Sequence, residues 1–291
     1  MKKLLLLLVT NLALFASMQI DTTYSTLGAI AKKVGGDFVK VTVLGSNKYD
    51  PHFIVPKPSL LAKLRRADLL IINGGGLEIG WLPPLLRNAH NPKINEGSLG
   101  FLDASQSLEL IDKPTTVSRA FGDVHAEGNP HYITDPYTVP IIAEAIASRL
   151  AQIDPIHKFA YKQNLQNFKK EWSSFLTQFD AKMAQCSTKE VVQYHELFNY
   201  FLKRYNIENI GTIEPLPGIA PSSKHTLELI MLIKQNKVKK ILQDVYHERK
   251  TAQFIAAKTG AKVVVIPHDL GAVGGKTLED FYNNIASKIC K

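Results

Sequence analysis

Residues 155–182 read PIHKFAYKQNLQNFKKEWSSFLTQFDAK, and this stretch decides the architecture. After Pro155 it contains neither proline nor glycine. Phe159, Tyr161, Leu165, Phe168, Trp172, Phe175 and Phe179 recur mostly three and four residues apart, the period of an apolar stripe along a helix. One uninterrupted amphipathic helix is predicted here. It stands between two groups of short apolar runs, so it is expected to be a stiff connector between two lobes.

Working outward, those runs read as strands at Ile20–Tyr24, Val39–Leu44 and Leu69–Asn73 before the helix, and at Val191–Tyr194, Lys240–Gln243 and Lys262–Ile266 after it. Helical patterns fall at Ser25–Val34, Pro58–Arg65, Val139–Ala151 and Thr251–Thr259. Strands alternating with helices imply parallel sheets covered by helices. The predicted fold is therefore α/β: two lobes with parallel-type sheets flanked by helices, joined by one long rigid helix. Four segments follow: a leader at 1–18, an N-terminal lobe at 19–154, the connecting helix at 155–184 and a C-terminal lobe at 185–291.

The chain has 291 residues, 45% of them hydrophobic and 21% charged, which suits one large or two medium globular domains. Its formal charge is +9, two of those charges being Lys2 and Lys3. No Lys/Arg block interleaved with aromatics occurs, which argues against a nucleic-acid partner. Met1-Lys2-Lys3 precedes an apolar run from Leu4 that continues to about Ala16. This is the pattern of a secretory signal peptide, too short for a good membrane span. Export is expected, with the cut between Ala16 and Gln19. No cysteine stands there to carry a lipid anchor. Cys186 and Cys290 are the only cysteines; they could pair in an oxidising compartment, and two so far apart make no zinc ribbon.

Three histidines carry the functional reading. His52 ends Tyr49-Asp50-Pro51-His52, His131 stands in Asn129-Pro130-His131, and His195 closes Gln193-Tyr194-His195. Open α/β sheets bind ligands beyond the carboxyl ends of their strands. His52 follows one predicted strand through a loop, and His195 comes directly off another. His268 and Asp269 come directly off Lys262–Ile266, and His131 lies in a proline-marked loop before a helix. Imidazole is the commonest transition-metal ligand, and three imidazoles plus a carboxylate would close a four-ligand site in the cleft between lobes. Pro51, Pro56 and Pro58 stiffen the loop presenting His52. Asp135 either orients His131 or serves the start of the next helix.

Together these segments resemble the metal-binding substrate-binding proteins of ABC importers, in their zinc/manganese family. The resemblance covers nearly the whole chain after the leader. It rests on Asp50-Pro51-His52 with Pro56 and Ser59, on Ala67–Gly74 followed by Gly76-Leu77-Glu78, on Asn129-Pro130-His131 with Asp135-Pro136, on Tyr194-His195 and on Gly260–Val265. It implies two α/β lobes joined by a long helix, with the metal between them and His52, His131 and His195 as ligands. The family's fourth ligand is usually a carboxylate after the last strand. Here that region reads Pro267-His268-Asp269-Leu270-Gly271, without the family's Asp-Pro-Leu-Gly. Asp269 is the expected fourth ligand, with His268, Asp244 or a water as alternatives. Glu214 is read as a supporting carboxylate.

A third histidine in place of a carboxylate favours Zn²⁺ over Mn²⁺. The expected function is periplasmic capture of zinc by a monomer, with partial lobe movement burying the ion, and delivery to an ABC permease and its ATPase. His125 and Glu127, in the short loop from Asp123 to Gly128, either help capture metal or form a solvated stretch, and the solvated reading is preferred. A zinc hydrolase with Glu196 as base is the enzyme alternative. His195-Glu196 lacks the second histidine of H-E-x-x-H, since Asn199 stands there, and no enzyme is expected. Another divalent-metal protein, or an adhesin using the same site, is the remaining alternative. Gly74-Gly75-Gly76 lacks the spacing of a nucleotide loop and is read as a tight turn.

Overall fold

The computed structural model describes residues 17–115 and 125–291. The leader expected at 1–18 lies outside the described residues except for Ser17 and Met18, and Met18 already belongs to the first strand. Among the described residues, no helix is long and apolar enough to cross a membrane.

Two four-stranded parallel sheets form the lobes. In the first, β1 (Met18–Thr22), β2 (Val39–Val43), β3 (Leu69–Ile72) and β4 (Phe101–Asp103) lie in the order β2-β1-β3-β4. In the second, β5 (Glu190–Gln193), β6 (Glu208–Thr212), β7 (Lys240–Gln243) and β8 (Lys262–Val265) lie in the order β6-β5-β7-β8. The two lobes thus repeat one strand order without visible sequence similarity. Parallel neighbours need crossovers. The first lobe supplies α1 (Ser25–Gly35), α2 (Pro58–Leu64) and α3 (Leu82–Ala89). After α4 (Thr138–Ile153) and α5 (Lys158–Met183), the second supplies α6 (Asn199–Arg204), α7 (Ser223–Gln235) and α8 (Lys250–Thr259). The chain closes with α9 (Leu278–Cys290).

Local chemistry explains most of these elements. The whole of β3, Leu69-Leu70-Ile71-Ile72, is buried, as expected of an inner parallel strand covered on both faces. Prolines open α2 and α3, where a missing N–H costs nothing. Ser222 caps α7, and Thr277 with Asp280 forms a capping box on α9. The triple glycine is a turn, not a phosphate cradle. Gly74, Gly75 and Gly76 have φ of +79°, +60° and +81°. They wrap the chain around Glu78, which accepts N–H bonds from Asn73 and Gly74 and the Thr23 hydroxyl.

The connecting helix α5 has 26 residues, about 39 Å at 1.5 Å per residue. Tyr161, Phe168, Trp172 and Phe179 are buried along it, and Leu165 and Phe175 pack at the margin. Phe159 leaves the stripe and is 76% exposed, because it sits only two residues, about 200°, from Tyr161. A single apolar cluster runs through both lobes. It joins Ile20 and Leu69 of the first sheet to Val191 and Leu242 of the second through α4, α5 and α9. Tyr282 on α9 donates its hydroxyl to the Ile133 carbonyl at 2.8 Å, and the Trp172 indole donates to Pro136 at 2.9 Å. Cys186, just beyond α5, forms a disulfide with Cys290 at the end of α9.

Candidate metal centre

The site is assembled from segments that the sheets carry to the junction of the lobes. His52 lies in the loop after β2, His131 in the segment leading into α4, and His195 directly after β5. Each is less than 8% exposed. One ring nitrogen from each falls within 4.8 Å of the others, the group that could hold a metal ion among the described residues. The Nε2 atoms of His131 and His195 are 3.2 Å apart. Nitrogens bound at the usual zinc distance of about 2.0–2.1 Å in a tetrahedron stand about 3.3 Å apart, so this pair already has the span of one tetrahedral edge.

The other ring nitrogens are engaged. His52 Nδ1 lies 2.6 Å from Asp50 Oδ1, and the same oxygen accepts the His52 backbone N–H at 2.9 Å. His195 Nδ1 lies 2.8 Å from Glu214 Oε2. A carboxylate at Nδ1 holds the proton there and leaves the Nε2 lone pair facing the group. Burial raises a carboxyl, but hydrogen bonds from His195 and His247 outweigh it and bring Glu214 down to about 2. The Asp50 carboxyl, against its own burial, is likewise held low by His52. Burial, reinforced by the neighbouring imidazoles, pushes His131 well below the ordinary histidine range. The ring therefore stays neutral and able to bind a cation.

A fourth imidazole stands beside the group, against His52. His125 Nε2 lies 3.2 Å from His52 Nε2, and its ring stacks on His52 with centroids 5.2 Å apart. Burial, with His52 and His195 nearby, lowers His125 to about 3. Its ring is steadied by a hydrogen bond to the Gly75 backbone and packs against Gly76. Of the two sequence readings of His125, its half-buried ring beside His52 favours metal capture over a solvated loop. Glu127, two residues on, is exposed as the solvated reading expects, whereas Asp123 and Val124 lie outside the described residues. The signal for His125 was the histidine itself, four residues before Asn129-Pro130-His131. What brings it inward is the glycine turn after β3, which no local pattern around His125 reveals.

The structure does not bring Asp269, the expected fourth ligand, into the group. Its carboxylate sits on the start of α1, accepting the N–H groups of Ser25 and Thr26 and the Thr26 hydroxyl. Tyr24, at the cap position of α1, offers no side-chain hydrogen bond, and Asp269 supplies it from the far lobe. His268 is buried beside Tyr24 and Tyr246 and is outside the group. Asp244 is bound to His247, with Nδ1 to Oδ2 at 2.6 Å. Asp135 pairs with Arg204 at 2.8 Å and accepts the Tyr137 N–H, so it serves the start of the next helix rather than His131. Glu196 does not join the group.

Known proteins share the sequence and fold of this chain. The chain is 24% identical over 281 residues to the zinc-binding lipoprotein AdcA of Streptococcus pneumoniae, covering 91% of this chain and 55% of AdcA. It therefore spans about half of that relative. It is 22% identical over 254 residues to the high-affinity zinc uptake system protein ZnuA of Bacillus subtilis, covering 86% of this chain and 77% of ZnuA. A crystal structure of ZnuA superposes with a TM-score of 0.77 at 26% identity, covering 94% of this chain and 98% of that one. The family model of the zinc-uptake complex component A, periplasmic, matches residues 20–291. The chain belongs to that family, the substrate-binding components of ABC metal importers, and is not an enzyme.

Proposed function

We propose that the protein captures zinc outside the cytoplasmic membrane and hands it to the permease of an ABC importer driven by its ATPase. The observation that carries this reading is the buried group of His52, His131 and His195, with the two outer rings anchored at Nδ1 by Asp50 and Glu214. Three imidazoles gathered within 4.8 Å, one pair of them 3.2 Å apart, suit Zn²⁺, whereas Mn²⁺ prefers more oxygen donors. His52, His131 and His195 are the ligands in this proposal, and His125 is the fourth, in place of Asp269.

Capture needs little reorganisation. Burial keeps His125 and His131 free of protons, so at neutral pH the ion displaces none from them. Periplasmic residence fits the apolar leader and the Cys186–Cys290 disulfide, which requires an oxidising compartment. The protein acts as a monomer, with one ion per chain.

The test is competitive titration of the metal-stripped protein with Zn²⁺ and Mn²⁺. One tightly held zinc per chain, with manganese much weaker, is expected. His52→Ala and His131→Ala should each weaken zinc by more than the roughly 10- to 100-fold that loss of a supporting partner costs. Manganese preference would change the cargo. Zinc affinity unchanged in both variants would remove the site.

A further inference from the structure

Behind His195, a line of polar side chains runs into the C-terminal lobe. Glu214 Oε2 lies 2.8 Å from His195 Nδ1, and its Oε1 lies 3.3 Å from His247 Nε2. His247 Nδ1 in turn lies 2.6 Å from Asp244 Oδ2. His195, Glu214, His247 and Asp244 thus form one unbroken series.

The series is held from all sides. Asp244 Oδ1 accepts the N–H groups of Tyr246 and His247. The Gln243 amide donates to the carbonyls of His247 and Glu248, fixing the loop after β7. Tyr194, the residue before His195, stacks on His247 with centroids 4.4 Å apart and planes 21° apart. Glu214 Oε2 also accepts the Gly218 N–H at 3.3 Å.

Charge explains why a histidine sits in the middle. Glu214 and Asp244 are 7% and 1% exposed. Two buried carboxylates in one locality repel each other and are costly to desolvate unless a cation lies between them. An imidazole facing a carboxylate at both nitrogens can donate at both only as imidazolium. Its neighbours do favour that form: burial alone would lower His247, but Asp244 and Glu214 prevail and raise it to about 10.

We propose that His247 is a positioning residue of the metal site: acting through Glu214, it fixes His195 with its proton on Nδ1 and its lone pair on Nε2 toward the ion. This rests on the metal-capture reading and extends it to a residue that never touches the cargo. Without His247, Glu214 faces Asp244 with no counter-charge. Its carboxylate loses the contact that holds Oε1 and turns away, and His195 loses its orienting partner. The expected loss of zinc affinity is about 10- to 100-fold.

The experiment compares the parent with His247→Gln and His247→Phe. The phenylalanine keeps a ring to stack on Tyr194, and the glutamine provides a second variant should the first fail to fold. Ring-nitrogen NMR of the metal-free proteins reads the tautomer of His195, and competitive titration reads zinc affinity. The parent should show a single Nδ1–H tautomer. Both variants should lose it and bind zinc about 10- to 100-fold more weakly. In a Glu214→Gln background, His247→Phe should change affinity by no more than about twofold, because the path is already cut. An unchanged tautomer with affinity within about twofold of the parent, or fully additive losses, would overturn the proposal. A parent that binds no zinc would sink the metal reading instead. The tautomer measurement, made without metal, would still decide the role of His247.

Discussion

Asp269 Oδ1 accepts two hydrogen bonds from one residue, Thr26: its backbone N–H at 2.9 Å and its hydroxyl at 2.6 Å. This joins the end of the last strand to the start of the first helix and places a negative charge on a helix N-terminus, where it is stabilising. Asp269→Ala should cost about 1–2 kcal/mol, a fall of several degrees in Tm. Its zinc affinity should change far less than that of His52→Ala. Thermal melts with competitive titration check both. Lost zinc binding with an unchanged Tm would restore Asp269 as a ligand.

His125 gives the complementary expectation. Its Nε2 stands 3.2 Å from that of His52, so His125→Ala should weaken zinc at least roughly tenfold, the lower end for loss of a supporting partner. Tm of the metal-free form should hold, because a partly exposed ring in a short loop contributes little packing. Affinity equal to the parent would return the fourth position to another donor.

Acid should destabilise the metal-free protein. His131 lies well below, and His125 at about 3, against 6.5 for the ordinary side chain. On acidification below 6.5 the unfolded chain takes up these protons first, so stability falls as pH drops through that window. Glu214, lowered from 4.5 to about 2, adds a loss of the same sign at lower pH. His247, raised to about 10, acts oppositely: its contribution is present below 6.5 and disappears as pH rises through about 10. Urea midpoints measured across the acid and alkaline ranges should trace this dome. A flat midpoint between neutral pH and the acid limit would contradict it.

The disulfide spans 104 residues of sequence. Closing a loop of that length restricts the unfolded chain and stabilises by about 2–4 kcal/mol. The double variant Cys186→Ser, Cys290→Ser should unfold at lower denaturant by that amount. Zinc affinity should be unaltered, since neither cysteine belongs to the site. Equal midpoints for the two proteins would show that the bond adds nothing.

Lobe closure should be slight. The expected partial movement meets a shared apolar cluster running through α4, α5 and α9, and domain motion is the default only where such an interface is small. Small-angle scattering should give the same radius of gyration with and without zinc. A measurable contraction on loading would show that the cluster yields.

Much of this was legible in the sequence because it rested on long periodic signals. The α5 stripe, six of the strands and the placement of His52 and His195 beyond strand ends followed from periodicity and the α/β rule. What escaped had weak local signals. Phe101–Asp103 is three residues long, and Glu208–Thr212 carries Glu, Asn and Gly where strands favour branched or aromatic residues. Asp269 illustrates a different gap. Position after a strand is shared by ligands and caps, and only the packing of α1 against that loop decides between them. His247 gave no motif at all, since its partners lie 3 and 33 residues away and meet it only after folding.

The cluster joining the lobes has a consequence for traffic at the membrane. A carrier that keeps nearly one outline whether empty or full cannot advertise its cargo by shape. On that expectation spent carriers would contend with laden ones for the same importer, and the ratio of the two would set how fast metal enters the cell.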